Sequence, residues 1–237
     1  MMNIAAVLSG GTGTRMGADI PKQYQEAAGK PVIVHTLEQM QRCSAVDGVV
    51  VTASPAWEEQ ILQWKKEFAL TKLLAIVPAG ADRQLSIRSG LLAAEPFMEK
   101  DKMSGVIIQD AVRPLASVEL LTRLVAELKD APCVMPALPV TDTTYTSHDG
   151  QWVDGLLERS LLYGGQAPEA FRYWPYWELY RDTPAAELSA MSGSCQLPYS
   201  RGWKVRMIPG ERENIKITYP LDLKICEILL REREGIS

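Results

Sequence analysis

The stretch Leu8-Ser9-Gly10-Gly11-Thr12-Gly13-Thr14-Arg15-Met16-Gly17, followed five residues later by Lys22, decides how the chain is read. It continues an apolar run, Ile4-Ala5-Ala6-Val7-Leu8, whose length suits the first buried strand of an α/β sheet. Glycines let the backbone turn where other residues clash, and they bring its N–H groups close to an anion. Arg15 and Lys22 add two positive charges at the same place, the composition of a triphosphate cradle. It is not a P-loop, which needs Lys directly after Gly and then Ser or Thr: Gly17 is followed by Ala18, and Lys22 by Gln23. A dinucleotide fingerprint would place its third glycine where Met16 stands. On its glycines alone the segment is equally an ordinary strand-to-helix turn.

Outward from this loop, apolar runs alternate with helical spacing. Val49 to Ala53, Leu73 to Val77 and Val106 to Ile108 read as strands. Helices are expected at Val34 to Met40, at Ala56 to Phe68 with Ser54 as N-cap, at about Gln84 to Ala94 and at Val118 to Leu128. This order predicts a mostly parallel sheet with helices on both faces. Ligands of such sheets bind outside the carboxyl ends of the strands, where the glycine loop, Gly80 to Arg83 and Asp110 to Pro114 all fall. Val134 to Val140 reads as a further strand. Thr141 to Tyr145, the turn His148-Asp149-Gly150 and the return Trp152 to Leu157 predict a β-arm at about residues 140–162. A two-stranded ribbon is marginal alone, so the arm predicts a dimer. The remainder reads as a loop at Gly164 to Pro168, a helix at Phe171 to Tyr180, strands at Trp203 to Ile208 and Asn214 to Thr218, and a closing helix at Leu221 to Arg233.

With 237 residues, 46% of them hydrophobic and 23% charged, the chain fits one α/β domain spanning 1–237. A net charge of −4 lacks the basic footprint of a nucleic-acid binder. No run approaches the roughly 20 apolar residues of a membrane span, and Met1-Met2-Asn3 lacks the basic start of a signal peptide. Cys43, Cys133, Cys195 and Cys226 have no metal-ligand spacing, which points to free thiols in a cytoplasmic protein.

Asp110, at a strand end and three residues before Arg113, is either a salt-bridged helix cap or a Mg²⁺ ligand, an ion that favours one or two carboxylates plus phosphate oxygens. Lys216, between Ile215 and Ile217, reads as a solvated face unless a phosphate lies opposite. His35 and His148 receive no role, and two histidines give no basis for a nucleophile triad. The aromatic residues from Tyr163 to Tyr180 suit core or dimer packing better than stacking on a base.

Six motifs taken together, in order, resemble one family: Leu-x-Gly-Gly-x-Gly-x-Arg-Met-Gly at 8–17, Pro-Lys-Gln-Tyr at 21–24, Asp-Arg-x-x-Ser at 82–86, Asp-Ala-Val-Arg-Pro at 110–114, Pro-Val-x-Asp-Thr at 139–143 and Asn-Ile-Lys-Ile-Thr at 214–218. The family is that of the 2-C-methyl-D-erythritol 4-phosphate and ribitol-5-phosphate cytidylyltransferases. The resemblance implies a Rossmann-like nucleotidyltransferase fold and transfer of CMP from CTP to a polyol phosphate, with release of pyrophosphate and a CDP-alcohol. It further implies Mg²⁺ as cofactor, a homodimer whose arm completes the partner's site, and a place in isoprenoid, teichoic acid or capsule precursor synthesis. By position, Arg15, Lys22 and Lys216 would stabilise charge on the reacting phosphates, and Leu8, Gly10, Gly11 and Gly13 would hold the triphosphate end of CTP. Gly80, Arg83 and Ser86 would surround the cytosine, and Asp110 would bind the metal. Thr143, Arg159 from the arm, and Ser192 would hold the acceptor.

The chain departs from the methylerythritol pattern at three places. Gln166-Ala167-Pro168-Glu169 stands for Gln-Thr-Pro-Gln, Ser192-Gly193-Ser194 for Thr-Asp-Asp or Thr-Asp-Glu, and Ala81 for an acidic residue. Gly10-Gly11, Ala81-Asp82-Arg83 and Tyr163-x-Gly165-Gln166 look like the pentitol branch, whereas Glu158-Arg159-Ser160 and Ala170-Phe171-Arg172 look like the methylerythritol branch; the balance favours a pentitol phosphate. The alternatives are a nucleotidyltransferase for another NTP and a sugar phosphate, or a CTP-binding homologue with impaired catalysis.

Overall fold

The computed structural model describes residues 1–11, 20–100 and 103–235. The strands in chain order are β1 (Asn3–Ser9), β2 (Glu26–Ala27), β3 (Lys30–Pro31), β4 (Gly48–Ala53), β5 (Leu73–Pro78), β6 (Gly105–Asp110), β7 (Cys133–Pro139), β8 (Tyr145–Thr146), β9 (Gly155–Leu156), β10 (Tyr163–Gly165), β11 (Glu169–Arg172) and β12 (Arg206–Pro209). The helices are α1 (Val32–Arg42), α2 (Glu58–Glu67), α3 (Arg83–Ala94), α4 (Val118–Glu127), α5 (Tyr173–Asp182), α6 (Ala185–Ser189), α7 (Gln196–Ser200) and α8 (Pro220–Glu234).

Among the described residues, one eight-stranded sheet organises the chain. β1 lies between β4 and β6, parallel to both, and β5 extends the parallel row beyond β4. β11 runs antiparallel to β6 and β7, β10 antiparallel to β7, and β12 parallel to β7. The sheet is thus mixed but mostly parallel. The apolar run of β1 is continuous because successive side chains go to opposite faces and both faces are covered. Ala5 and Val7 join a core with Ile33, Leu37 and Ile61 of α1 and α2 and Leu121 of α4, while Ile4 and Ala6 join another with Ile87 and Leu91 of α3 and Tyr173 and Tyr176 of α5. The parallel strands end together, at Ser9, Pro78 and Asp110, and this edge carries the site.

Several local readings of the sequence are corrected. Phe171 belongs to β11, not to a helix; it pairs with Val106 and stacks on Tyr176 at 3.8 Å, and α5 starts only at Tyr173. Asn214 to Thr218 is not a strand. Its alternation arises because Ile217 buries in a small core under α8 while Lys216 turns to Asp110, with Ile217 N–H bonded to Val112 C=O. Gly164 and Gly165 are not loop but part of β10. Ser54 makes no side-chain cap, and a short 3₁₀ turn, Pro55–Trp57, precedes α2. The arm region pairs over two residues on each side, Tyr145 with Leu156 and Thr146 with Gly155. Its tip is set by Asp149, which accepts from the Gln151 and Trp152 N–H groups, and by Gly150 at φ +71°. No helix among the described residues is long and apolar enough to cross a membrane.

Candidate active site

A cavity of about 400 Å³ opens at the carboxyl edge of the sheet, within the range of small-molecule sites. Leu8, Gly10 and Gly11 line it from the end of β1, and Lys22 from the 3₁₀ turn Lys22–Tyr24. Gly80, Arg83 and Ser86 line it from the start of α3, with Asp110 from the end of β6 and Lys216 from the segment before α8. Sequence positions more than 200 residues apart are thereby brought to one wall, as the sheet rule requires.

The start of the glycine loop is clamped by side chains that sequence reasoning quoted but did not assign. Gln23 is buried and its Nε2 donates to the carbonyls of Ser9 (2.8 Å) and Gly11 (2.7 Å), while Ser9 Oγ donates to Tyr24 Oη (2.9 Å). The glycines are not equivalent. A Cβ on Gly10 would run into the Cβ of Ala79, so this glycine is fixed by packing, whereas Gly11 faces open space. Gly80 lies against the backbone of Leu85 and Ser86 with no room for a side chain. Asp82 caps α3 by accepting from Leu85 N–H (2.9 Å), and Ser86 Oγ donates to Asp82 C=O (2.7 Å) while accepting from Gly80 N–H (3.1 Å). The turn between β5 and α3 is therefore built from its own backbone. Gly13 and Arg15 lie outside the described residues.

Asp110 is the centre of the charged wall. Its Oδ1 accepts from Arg83 Nε (3.2 Å) and Nη2 (3.1 Å), and its Oδ2 from Lys216 Nζ (2.8 Å). Burial on its own would raise the pKa of this carboxyl, but Arg83 and then Lys216 hold it well below the ordinary carboxylate range. The sequence pairs Asp110 with Arg113; the structure does not. Arg113 Nη1 instead donates to Asn214 C=O at 2.6 Å, which fixes the segment carrying Lys216, and burial lowers its pKa. Asn214 is itself buried and donates to Ala167 C=O (2.8 Å). Lys216 is thus a site residue and not a solvated face.

Arg83 has further partners. Its Nη1 donates to Ser194 Oγ (2.8 Å), and its Nη2 lies 3.7 Å from Glu169 Oε2. Burial pushes Glu169 up, opposed by Arg83 and by the Ser194 hydroxyl. Glu169 and Ser194 are functional candidates that the sequence reading touched only as departures from a pattern. Ser192, assigned there to the acceptor, is exposed and bonded to Gln196 instead of lining the cavity. Thr143 and Arg159 are exposed in the arm region, where Arg159 Nη1 donates to Thr141 C=O (3.2 Å), and neither lines this chain's cavity.

Among the described residues, no group of three or more His, Cys, Asp or Glu is placed to hold a metal ion. Among the described residues Asp110 and Asp82 are the acids lining the cavity, and the oxygens of Asp82 are used by Leu85 N–H and Ser189 Oγ. One ionised carboxylate beside a cationic wall fits a hard cation held mainly through phosphate oxygens.

A family model described as 2-C-methyl-D-erythritol 4-phosphate cytidylyltransferase matches residues 3–232. A ribitol-5-phosphate cytidylyltransferase of Vibrio parahaemolyticus is 31% identical over 100% of this chain and 99% of its own length. A 2-C-methyl-D-erythritol 4-phosphate cytidylyltransferase of Rubrobacter xylanophilus is 37% identical over 98% of this chain and 97% of its own. Among solved structures, a 4-diphosphocytidyl-2C-methyl-D-erythritol synthase of Anaerococcus prevotii superposes with a TM-score of 0.79 at 26% identity, covering 97% of this chain and 98% of that one.

Proposed function

The chain belongs to the 2-C-methyl-D-erythritol 4-phosphate cytidylyltransferase family, and we propose from that premise that its acceptor is a pentitol phosphate of the ribitol 5-phosphate type. The enzyme transfers CMP from CTP to a polyol phosphate, releasing pyrophosphate and a CDP-alcohol. The observation that carries the assignment of the cavity is Asp110 held between Arg83 and Lys216 at the carboxyl edge of the sheet.

In this reading the acceptor phosphate attacks the α-phosphorus of CTP in line with the departing pyrophosphate. No covalent enzyme intermediate is required, so the protein's task is to position the two phosphates and to offset the charge that develops between them. Lys22 and Lys216, both lining the cavity, supply that charge, and Arg15 joins them by its motif. Lys216 exchanges part of its ion pair with Asp110 for the incoming phosphate. Gly11 lets the loop backbone approach the triphosphate, while Gly80, Arg83 and Ser86 form the wall assigned to the nucleoside. Mg²⁺ would be held by Asp110 and the CTP phosphates, and when bound would neutralise phosphate charge.

Thr143 and Arg159 do not line this chain's cavity, which supports a homodimer in which they serve the partner's acceptor site. The exposed Trp152, Val153, Leu156 and Leu161 around the arm give that dimer an apolar surface. Four free, buried cysteines support a cytoplasmic setting. For the pentitol acceptor, Ala167 is buried and offers only a methyl group where the methylerythritol pattern has a hydroxyl, and the ribitol-5-phosphate relative spans the whole chain. The second reading, methylerythritol phosphate, is favoured by the 37% identical relative. Pyrophosphate release with CTP against ribitol, arabinitol, methylerythritol and glycerol phosphates decides: a pentitol phosphate should give the highest kcat/KM by at least about tenfold, about 1.4 kcal/mol of barrier. Preference for methylerythritol phosphate would overturn the acceptor assignment.

A further inference from the structure

Glu169 opens β11, whose register sets it beside Ile108 of β6, the strand that ends in Asp110. Its side chain is buried and does not line the cavity. A carboxylate in such a place is costly unless it has partners, and Glu169 has three, one from α3 and two from the consecutive residues that lead into α7. Arg83 Nη2 of α3 lies at 3.7 Å, Cys195 Sγ donates to Oε1 at 3.4 Å, and Ser194 contributes a side-chain hydrogen bond. The Ser194 hydroxyl also accepts from Arg83 Nη1 at 2.8 Å, so it links guanidinium to carboxylate. Arg83 therefore sits between two acids: Asp110, on the cavity wall, and Glu169, outside that lining.

The two acids are not equivalent. Asp110 is shared with Lys216; a phosphate entering the cavity competes with it for the Lys216 ammonium, and a metal would compete for its oxygens. Glu169 faces the cations Arg83 and Arg113, together with Asp110, the thiol of Cys195 and the phenol of Tyr176. None of the phosphates assigned to the cavity needs to reach it. It is the anion that stays with Arg83 when Asp110 is engaged elsewhere.

We propose that Glu169 is a positioning residue for nucleotide binding: with Ser194 as the link, it fixes the Arg83 guanidinium in the nucleoside wall while Asp110 and Lys216 exchange partners with the phosphates. This rests on the assignment of the cavity to CTP. Glu169 does no chemistry and touches no reacting atom; its effect passes through Arg83. Replacement by the neutral isostere keeps the packing and removes the charge that holds the wall. A residue kept only for packing would leave CTP affinity unchanged on this isosteric replacement.

The test uses the full-length wild type, Glu169→Gln, Ser194→Ala and the double variant Glu169→Gln/Ser194→Asp, measured for CTP binding by calorimetry, for steady-state kinetics and for Tm. For Glu169→Gln the expected result is a rise of about tenfold in KM and Kd for CTP, with kcat within about threefold. Ser194→Ala should shift KM the same way by less. The double variant, which moves the carboxylate from the Nη2 side to the Nη1 side of the same guanidinium, should recover most of the lost CTP affinity. Unchanged CTP affinity in Glu169→Gln overturns the proposal. So does a lowered Tm with kcat and KM damaged together, or a double variant that folds and does not recover. The calorimetric arm keeps the proposal separate from the acceptor assignment: if the wild type binds CTP but turns over no acceptor, the function above fails while Glu169 is still judged on affinity.

Discussion

Substituting Asp110 by Asn separates the account from a plain structural salt bridge. The carboxylate is 7% exposed and takes two bonds from Arg83 and one from Lys216. Asn keeps one acceptor oxygen but turns an NH₂ donor toward the other cation, leaving two positive groups side by side. Removing one partner of a buried pair typically costs about 3–5 kcal/mol. The Arg83 and Lys216 side chains are 27% and 40% exposed, so solvent screens part of the repulsion and the expected loss is about 2–3 kcal/mol. Urea unfolding at pH 7.5 measures it. Because Asp110 titrates below the ordinary range, its stabilisation is complete above the unfolded carboxylate pKa and is lost only as pH falls through the lowered folded value; the gap to the variant should persist to about pH 4. Saturating CTP without metal should then stabilise the variant more than the wild type, since the triphosphate supplies the missing negative charge. A loss under about 0.5 kcal/mol, or a smaller stabilisation by CTP in the variant, would refute the reasoning.

Other substitutions test the loop and the thiols. Gly10→Ala should cost about 1–3 kcal/mol by overpacking against Ala79, whereas Gly11→Ala should leave stability within about 0.5 kcal/mol and raise KM for CTP; equal effects at both positions in urea unfolding would contradict the difference between them. Gln23→Ala removes two hydrogen bonds that hold Ser9 and Gly11, so a loss of about 1–3 kcal/mol is expected, with weaker CTP binding seen in calorimetry. All four cysteines are buried and free, and burial pushes the Cys226 thiol up to about 12. A thiol reagent should therefore find no fast-reacting cysteine in the native protein and four after denaturation; a rapid native reaction at any one would count against the packing described.

The parts of the fold that were legible in the sequence are those where one force dominates. The doubly covered strand β1 reads directly because both faces are apolar, whereas the Asp82 cap that starts α3 is not read from the sequence. The carboxyl-edge rule then gathers Asp110, Arg83, Gly80 and Lys22 before any contact is known. What escaped depends on long-range contact. Lys216 alternates with two isoleucines, yet its partner lies 106 positions away and no strand forms. The attraction between Asp110 and Arg113 that four adjacent positions suggest loses to Arg83, which arrives from another helix, while Arg113 is drawn to Asn214. Phe171 reads as helical because β11 runs into α5 without an intervening turn, and its strand pairing with Val106 is a long-range contact. Glu169 gave a signal, a carboxylate opening a strand with Ala170 and Phe171, but burial and the Ser194 link emerge only with tertiary structure.

The most direct test of the central claim follows the label from CTP carrying ³²P at the α-position, incubated with the enzyme, Mg²⁺ and ribitol 5-phosphate. The account predicts label in a CDP-alcohol, unlabelled pyrophosphate in equal amount, and loss of transfer of at least about tenfold in Lys22→Ala. Label recovered only as CTP or CMP with every polyol phosphate supplied would contradict it.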